Sequence, residues 1–278
     1  MKRFFKGVGK ASLYFLTYLG MQLLVSFGIV KVVDVYAQMT CKREDGTLHL
    51  LKYIDKYNSI MSQGLYWAMI LSGLLTILVF FIVAKIRKKK FKKSASLNKL
   101  NPATIAPIVL GGIAFNFLIS FVMNIIPFPE SWIDSYATES SQLLGTTGIP
   151  MWISVVIMAP IVEELTFRGF MYTRLKQGMN KWIAVILTSL IFGFVHGTII
   201  WAIYTFVFSL CLIFILERTK SLFGAVLFHM SFNLVGAVMS TWPDMFEKMN
   251  ALVILGASAL IYAGATVWFL KIPKVIEE

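Results

Sequence analysis

Eight long apolar runs divide the 278-residue chain, and they constrain its fold more strongly than any other feature of the sequence. Each is long enough, or nearly so, to cross the ~30 Å hydrocarbon core of a bilayer as a helix of about 20 residues. The sequence therefore predicts an all-α, polytopic membrane protein with about eight transmembrane helices, in which residues 1–278 form a single transmembrane domain. The runs lie at 11–30, 65–84, 104–126, 149–167, 182–197, 198–216, 221–240 and 251–270.

The composition agrees with a membrane protein. Hydrophobic residues make up 58% of the chain and charged residues 14%, whereas a soluble domain has about half and about a quarter. The two cysteines provide no disulfide framework, because Cys41 lies in a polar segment and Cys211 in an apolar run, where the two are not expected to meet.

Lysine and arginine are unevenly distributed between the two ends of the predicted helices. If the N-terminus faces the cytoplasm, the inner segments carry twenty basic residues and the outer segments six. Basic residues accumulate on the cytoplasmic side of membrane proteins, so both termini are predicted to be cytoplasmic. The basic run 85–93 is interpreted as a topology anchor against anionic lipid rather than as a nucleic-acid site. Short loops and the basic inner side favour a bacterial plasma membrane.

The segments outside the apolar runs are simple. Residues 31–64 and 127–148 are predicted to be outer loops without a folded domain of their own. The first apolar run follows four basic residues, and Val-Tyr-Ala at 35–37 resembles a signal-peptide cleavage site. Because the run has about 20 residues rather than the roughly 7–15 of a signal peptide, a retained anchor is expected, with cleavage as the open alternative.

Few ionisable side chains fall inside the apolar runs, and these few are the candidate site. They are two adjacent glutamates, Glu163 and Glu164, two of the three histidines, His196 and His229, and Arg168, which closes the fourth run. A charged group inside a bilayer costs a few kcal/mol and usually faces a cavity or a partner. These residues are therefore candidates for a function rather than for packing.

The spacing of these residues is compatible with one converging site. Three pairs are four residues apart and so share a helix face: Glu164 with Arg168, Phe192 with His196, and His229 with Asn233. Pro160 removes a backbone hydrogen bond and bends the fourth helix one turn before Glu163, which leaves room for water. Gly193 and Gly197 offer a small surface on which another helix can approach closely.

Depth along the helices is a weaker argument for convergence. At 1.5 Å per residue, Glu163 is about 10 Å and His196 about 21 Å from the inner face of the membrane. Tilt or a shifted helix boundary has to account for the difference of about 10 Å if the two side chains are to meet.

Such a set of residues can activate water. A carboxylate in a cavity of low dielectric can act as a general base, and a histidine beside it can share the water or hold a metal ion. A second histidine together with an asparagine can donate hydrogen bonds to the oxyanion that forms when a peptide carbonyl becomes tetrahedral. No serine or cysteine nucleophile is needed.

The three motifs Glu163-Glu164-x-x-x-Arg168, Phe192-x-x-x-His196 and His229-x-x-x-Asn233 resemble those of the CPBP family, in the family's order and on successive apolar helices. This family contains the CAAX prenyl endopeptidases and bacteriocin-processing or immunity enzymes. The motifs lie between residues 163 and 233, about a quarter of the chain. The resemblance implies an eight-helix intramembrane endopeptidase whose cavity opens to the cytosolic side, with a motif-bearing core at about 149–240.

The resemblance also implies a role for each residue. Glu163 and His196 would activate the water, and His229 and Asn233 would form the oxyanion hole. Glu164 and Arg168 would be supporting residues, paired with each other.

A requirement for metal is left open by the sequence. The zinc motif His-Glu-x-x-His is absent, but Glu163, His196 and His229 could together supply three ligands to zinc or another divalent metal. Water activated by the glutamate without a cofactor is the favoured alternative.

Two other classes of function compete with the protease. One is a non-catalytic membrane scaffold or bacteriocin-immunity factor that keeps the motifs but acts by binding, and the other is a proton-coupled transporter that uses the Glu and His residues as a relay. As a protease, the chain is expected to act on a peptide or protein with a membrane-proximal or lipidated segment. Its other partner is the lipid bilayer, and no nucleic acid is expected.

Overall fold

The computed structural model describes residues 1–43, 46–146, 148–247 and 249–275. Across these ranges the chain forms nine principal helices and no β-strand. Eight of them correspond to the predicted apolar runs, and the ninth, Glu130–Leu144, lies in a segment predicted to be an outer loop. The helices are α1 (Lys2–Thr40), α2 (Leu50–Ile86), α3 (Ile105–Ile125), α4 (Glu130–Leu144), α5 (Ile149–Gly178), α6 (Lys181–Phe194), α7 (Ile199–Thr219), α8 (Leu222–Thr241) and α9 (Ala251–Lys271). Single helical turns at Phe91–Ser94, Pro102–Thr104 and Asp244–Glu247 connect some of them.

In the part of the chain that the structure describes, seven helices are long and apolar enough to cross a membrane: α1, α2, α3 with the turn before it, α5, α7, α8 and α9. The predicted fifth run forms α6, which has only 14 residues and rises about 21 Å, less than the thickness of the bilayer core. An all-α polytopic membrane fold is thus confirmed, with one short helix among the predicted spans.

The α1–α2 hairpin is longer than the sequence analysis predicted. These helices contain 39 and 37 residues, far more than the ~20 needed to cross a bilayer. Most of 31–64, predicted to be a loop, is therefore helical, and 127–148 contains α4. The two long helices support each other, for example where the Tyr53 hydroxyl donates to Asp34 over 2.7 Å. Lys248, counted among the outer basic residues, lies outside the described residues.

Helix α5 also continues beyond its predicted end at residue 167. Two stretches of wider π-helical turns, Trp152–Met158 and Leu165–Tyr172, flank a short α-helical stretch, Ala159–Glu164. Arg168 therefore lies inside the helix and is completely buried, rather than marking a membrane boundary. Without it the basic residues still favour the inner side by nineteen to six.

The core is built around α5. Tyr14 and Tyr18 of α1 pack against the rings of Phe170 and Phe167, and Phe80 of α2 packs against both Tyr14 and Phe170. These rings belong to the main cluster of buried apolar residues. Because aromatic rings bury large areas in fixed mutual orientations, they hold α1, α2 and α5 in one arrangement around the two glutamates.

Candidate active site

Glu164 is the carboxylate of the site that accepts hydrogen bonds from two side chains, both through one oxygen, while its other oxygen, Oε2, is buried without a hydrogen-bond partner among the described residues. Its side chain is completely buried, and one oxygen, Oε1, accepts hydrogen bonds from Arg168 Nη1 and from His229 Nδ1, each over 2.9 Å. The ion pair one helical turn apart is the one that the spacing predicts. A buried charge needs such partners, since losing them leaves the charge without compensation in a low dielectric. Glu164 therefore joins α5 to α8.

The Arg168 guanidinium has a second contact that compensates its charge. It lies 4.1 Å from the centre of the Phe192 ring, a geometry in which the face of the ring attracts a cation. Its Nε and Nη2 atoms are buried without a hydrogen-bond partner in the described structure. Phe192, which sequence reasoning treated only as part of a motif, is thus the support beneath Arg168, and its ring also lies beside His196, 4.6 Å away.

Glu163 is the unpaired carboxylate, although it is the immediate neighbour of Glu164. Its Oε2 atom is buried and has no hydrogen-bond partner among the described residues. The same oxygen lies 4.0 Å from Nε2 of His196 and 4.0 Å from Nε2 of His229. These gaps are too long for direct hydrogen bonds and are suited to a bridging water. Glu163, His196 and His229 come from three separate chain segments, and the structure brings them together as their spacing predicted.

His196 was predicted to lie within the helix formed by residues 182–197. It lies instead in the turn between α6 and α7. Helix α6 ends at Phe194, and Gly197 turns the chain with φ of +90°, a conformation that favours glycine. Gly193 allows α7 to approach closely, since a Cβ there would lie 2.7 Å from the Ala202 carbonyl oxygen. The turn directs the ring of His196 towards Glu163.

The depth difference expected between Glu163 and His196 disappears for a simple reason. The predicted end of the fourth helix, residue 167, is too early, because α5 continues to Gly178. Glu163 and His196 then lie equally far from the turn between α5 and α6, 15 residues in each direction (163 to 178, and 181 to 196). At 1.5 Å per residue this is about 22 Å for both.

The partners of the two histidines define which ring nitrogen carries the proton. Nδ1 of His196 lies 2.6 Å from the Phe192 carbonyl oxygen, and Nδ1 of His229 lies 2.9 Å from the Glu164 carboxylate. Both partners can only accept, so both Nδ1 atoms donate. In its neutral form each ring then presents Nε2 to Glu163 as an acceptor. His229 can donate from Nε2 only when the ring is doubly protonated.

Asn233 is bound to the backbone of α5. Its Nδ2 donates to the Val155 carbonyl oxygen over 2.9 Å. This oxygen needs an external donor because Ala159 donates to Ser154 in the π-helical turn, and the next residue, Pro160, has no N–H. Pro160 therefore leaves the acceptor that positions Asn233. The amide group keeps a second hydrogen for another acceptor.

One polar side chain near the site was missed by sequence reasoning. Asn116 of α3 is buried, and its Nδ2 donates to the Phe232 carbonyl oxygen over 3.0 Å, next to Asn233 in the chain. The signal in the sequence was a lone amide within the apolar run 104–126. It joins α3 to α8.

The chemistry of the three candidate metal ligands suits zinc, but their spacing does not. Two ligands of one tetrahedral zinc ion, each at about 2.1 Å, lie about 3.4 Å apart. Glu163 Oε2 is 4.0 Å from each of the two histidine nitrogens. Among the described residues, no group of three His, Cys, Asp or Glu side chains has the arrangement of a metal site. These distances fit a shared water better than a shared ion.

The site lies within a segment that matches a known family. The sequence model of the family described as Type II CAAX prenyl endopeptidase Rce1-like matches residues 145–235. This segment runs from just before α5 into α8 and contains all seven residues of the three motifs.

Similar proteins agree with this match. The UPF0177 protein YbdI of Lactococcus lactis is 28% identical over 174 residues, which cover 58% of this chain and 91% of that protein. A Bacillus subtilis protein named "Putative membrane peptidase YdiL" is 24% identical over 191 residues, which cover 67% of this chain and 75% of that protein. The CAAX prenyl protease 2 of Methanococcus maripaludis is 24% identical over 254 residues, covering 81% of this chain and 92% of that protein.

No solved structure matches the chain at a significant level. The family match, the three relatives and the helical membrane fold with buried ionisable residues lead to the same assignment. Together they support a protease of the CPBP family.

Proposed function

We propose that this chain is an intramembrane endopeptidase in which Glu163 and His196 activate a water molecule and His229 and Asn233 stabilise the oxyanion. One observation carries the proposal. The Glu163 Oε2 atom is buried, has no hydrogen-bond partner in the described structure and lies 4.0 Å from two histidine nitrogens. A water in these gaps would donate one hydrogen to the carboxylate and the other to His196 Nε2.

In the proposed reaction the water oxygen forms a bond to the carbonyl carbon of the scissile peptide. Glu163 takes the proton that the water loses, as a general base, and the carbonyl oxygen becomes an oxyanion. Glu163 then gives the proton to the peptide nitrogen, and the C–N bond breaks. The products are a new carboxyl terminus and a new amino terminus, so no external reactant besides water is consumed.

The proposed oxyanion hole requires His229 to be doubly protonated, because its Nδ1 already donates to Glu164. Charge balance supports this state. With Glu163 and Glu164 ionised, Arg168 and a protonated His229 bring the sum of the four buried charges to zero. A buried cluster that is neutral as a whole costs far less than one with a net charge. The remaining hydrogen of the Asn233 amide would be the second donor.

The family implies a peptide or protein substrate with a membrane-proximal segment. A lipidated substrate is a further proposal, supported by the name of the relative in Methanococcus maripaludis. A short peptide, as in bacteriocin processing or immunity, is the alternative within the same chemistry. We further propose that residues 1–278 act as one domain with both termini in the cytoplasm of a bacterial cell, since basic residues favour that side by a wide margin.

Cleavage of a quenched-fluorescence peptide library by purified protein in detergent tests the proposal. We expect the wild type to cleave and His196→Ala to lose activity by about 10²-fold or more, as expected for a residue that orients the attacking water. His49→Ala is the matched control, because the third histidine caps α2 away from the site. Adding a metal chelator is expected to leave the cleavage rate of the wild type unchanged.

Two results would contradict the proposal. Equal activity of His196→Ala and wild type would remove the histidine from the reaction. Loss of activity with chelator, restored by a divalent metal, would replace the proposed water activation by metal chemistry.

A further inference from the structure

A second cavity lies away from the active site, where the N-terminal part of α1, the C-terminal end of α2 and the C-terminal part of α5 meet. Its volume is about 320 Å³, at the lower end of the range for small-ligand sites. Four cationic side chains line it, together with one tyrosine and one serine: Lys10, Arg87, Lys89, Arg174, Tyr14 and Ser94.

The four cations have no acidic partner. Within the ranges that the structure describes, none of them forms an ion pair with a carboxylate. The charged groups that act on the Lys10 ammonium are Lys6, Arg87, Lys89 and Arg174, all of them cations. Like charges this close repel one another unless a counter-ion is present. The cavity thus has the electrostatics of an anion site.

Arg174 is held in place rather than extended into solvent. Its Nη2 donates to the Ser94 carbonyl oxygen over 3.3 Å, and its guanidinium lies 5.9 Å from the centre of the Phe170 ring. Phe170 in turn stacks on Tyr14, with ring centres 4.3 Å apart. A guanidinium fixed in this way loses little further freedom on binding a planar or tetrahedral anion.

A close helix crossing brings Lys10 to the same place. A Cβ on Gly7 would lie 2.9 Å from the Arg174 carbonyl oxygen and 3.1 Å from the Cα of Gly178. Only glycines permit this approach of α1 to α5. Lys10 lies three residues after Gly7 on the same face of α1, so its ammonium is directed towards Arg174. Both cations are half-buried, whereas Arg87 and Lys89 are exposed at the mouth.

The position of the cavity favours a lipid. It lies at the ends of three apolar helices, beside the basic run 85–93, on the side predicted to be cytoplasmic. Basic pockets between membrane helices at this level are suited to anionic lipid headgroups. Arginine and lysine are also the side chains that best bind phosphate oxygens.

We propose that this cavity binds the phosphate headgroup of an anionic phospholipid, with Arg174 and Lys10 as the inner contacts and Arg87 and Lys89 at the mouth. The bound phosphate neutralises the repulsion between α1 and α5 and holds the two helices together. The proposal concerns a surface separate from the active site and does not depend on the proposed reaction.

Lipid titrations followed by native mass spectrometry test the proposal. The Lys10→Gln/Arg174→Gln double variant is compared with wild type, and Lys92→Gln/Lys93→Gln is the matched control. The control removes two charges from the same basic run but from exposed residues that do not line the cavity. Phosphatidylglycerol, phosphatidylcholine and inorganic phosphate are the three ligands.

Wild type is expected to bind phosphatidylglycerol in preference to phosphatidylcholine. Each cavity charge removed should weaken phosphatidylglycerol binding about five-fold, which corresponds to about 1 kcal/mol, so the double variant should bind about 25-fold more weakly. The control variant should remain within about two-fold of wild type. If the double variant does not fold in phosphatidylcholine, the single variant Lys10→Gln replaces it, and its phosphatidylglycerol binding should be about five-fold weaker than that of wild type.

Three results would overturn the proposal. Equal losses in the double variant and its control would mean a general surface potential rather than a site. Displacement of phosphatidylglycerol by millimolar inorganic phosphate would assign the cavity to a soluble anion. Unchanged lipid binding with a raised KM for peptides that carry a free C-terminal carboxylate would assign it to the substrate.

Discussion

Glu163 and Glu164 are adjacent in the chain, yet they have opposite environments. The carboxylate of Glu164 is fully buried and accepts hydrogen bonds from Arg168 and His229, whereas Oε2 of Glu163 has no hydrogen-bond partner and faces two histidine nitrogens. Glu164 is held by two donors through Oε1, although its Oε2 is also buried without a partner, whereas Glu163 has no such donor and faces the two histidine nitrogens at 4.0 Å. Two consecutive residues of a helix point about 100° apart, which allows this division of roles.

The division separates structure from chemistry. Side chains on the Glu164 side should matter mainly for folding, because they compensate each other's buried charge. Side chains on the Glu163 side should matter mainly for the reaction, because Glu163 compensates no buried cation through a direct hydrogen bond and faces the two histidine Nε2 atoms at 4.0 Å.

The largest expected effect on stability is that of Glu164→Gln. The amide cannot neutralise Arg168, which stays buried beside it, and breaking such a pair costs about 3–5 kcal/mol. The free energy of unfolding can be measured by titration with SDS in mixed micelles. Lys181→Gln, which removes the most exposed of the three lysines that pair with Glu217, is the control and should cost less than about 1 kcal/mol. Equal costs for the two variants would mean that the buried pair is not a structural element.

Asn233→Ala should affect both properties, since this side chain lies between the two regions. We expect kcat to fall by about 10²–10³-fold through loss of an oxyanion donor. The free energy of unfolding should fall by about 1 kcal/mol through loss of the bond to Val155. Ser240→Ala is the control. It removes another hydrogen bond from α8 to a backbone carbonyl oxygen, that of Leu144. A similar loss of stability with unchanged kcat is expected there, and a kcat loss as large as that of Asn233→Ala would contradict the assigned role.

Phe192→Leu should have a smaller effect, mainly on stability. The substitution removes the ring face beneath Arg168 and keeps an apolar side chain, so we expect a loss of about 1–2 kcal/mol. Phe194→Leu is the control, because Phe194 is 86% exposed and contacts no buried cation. The two melting temperatures, measured in the same detergent, should differ by several degrees. Identical melting temperatures would remove the cation–π contact from the account.

The fold class and the site residues could be predicted from the sequence because both depend on local patterns. Apolar runs mark the helices, and the few charged residues within them mark the site. The lengths of α1 and α2 could not be predicted, since their outer parts are polar and are stabilised by packing against each other rather than by the bilayer. The short α6 could not be separated from the turn that follows it, because both are apolar.

The geometry of the site depended on details that the sequence shows only in part. The end of α5 was misplaced because Arg168 looks like a boundary charge, whereas Glu164 and Phe192 compensate its charge inside the protein. The partner of Asn233 follows from a π-helical turn before Pro160, and such turns have no simple sequence signal. The opposite environments of the two adjacent glutamates depend on the placement of α8, which only the folded chain defines.

Comparison of Glu163→Gln with Glu164→Gln, as kcat per folded molecule on a peptide cleaved by the wild type, tests the central claim most directly. The folded fraction of each variant is taken from its unfolding curve. We expect Glu163→Gln to lose kcat by about 10³-fold or more, the scale of a missing general base, with stability close to wild type. The folded molecules of Glu164→Gln should lose less activity than those of Glu163→Gln, because the amide oxygen can still accept the hydrogen bond from His229 Nδ1 and Glu163 is unchanged. Normal turnover by Glu163→Gln, or an equal loss in the two variants, would contradict the claim that the unpaired glutamate activates the water.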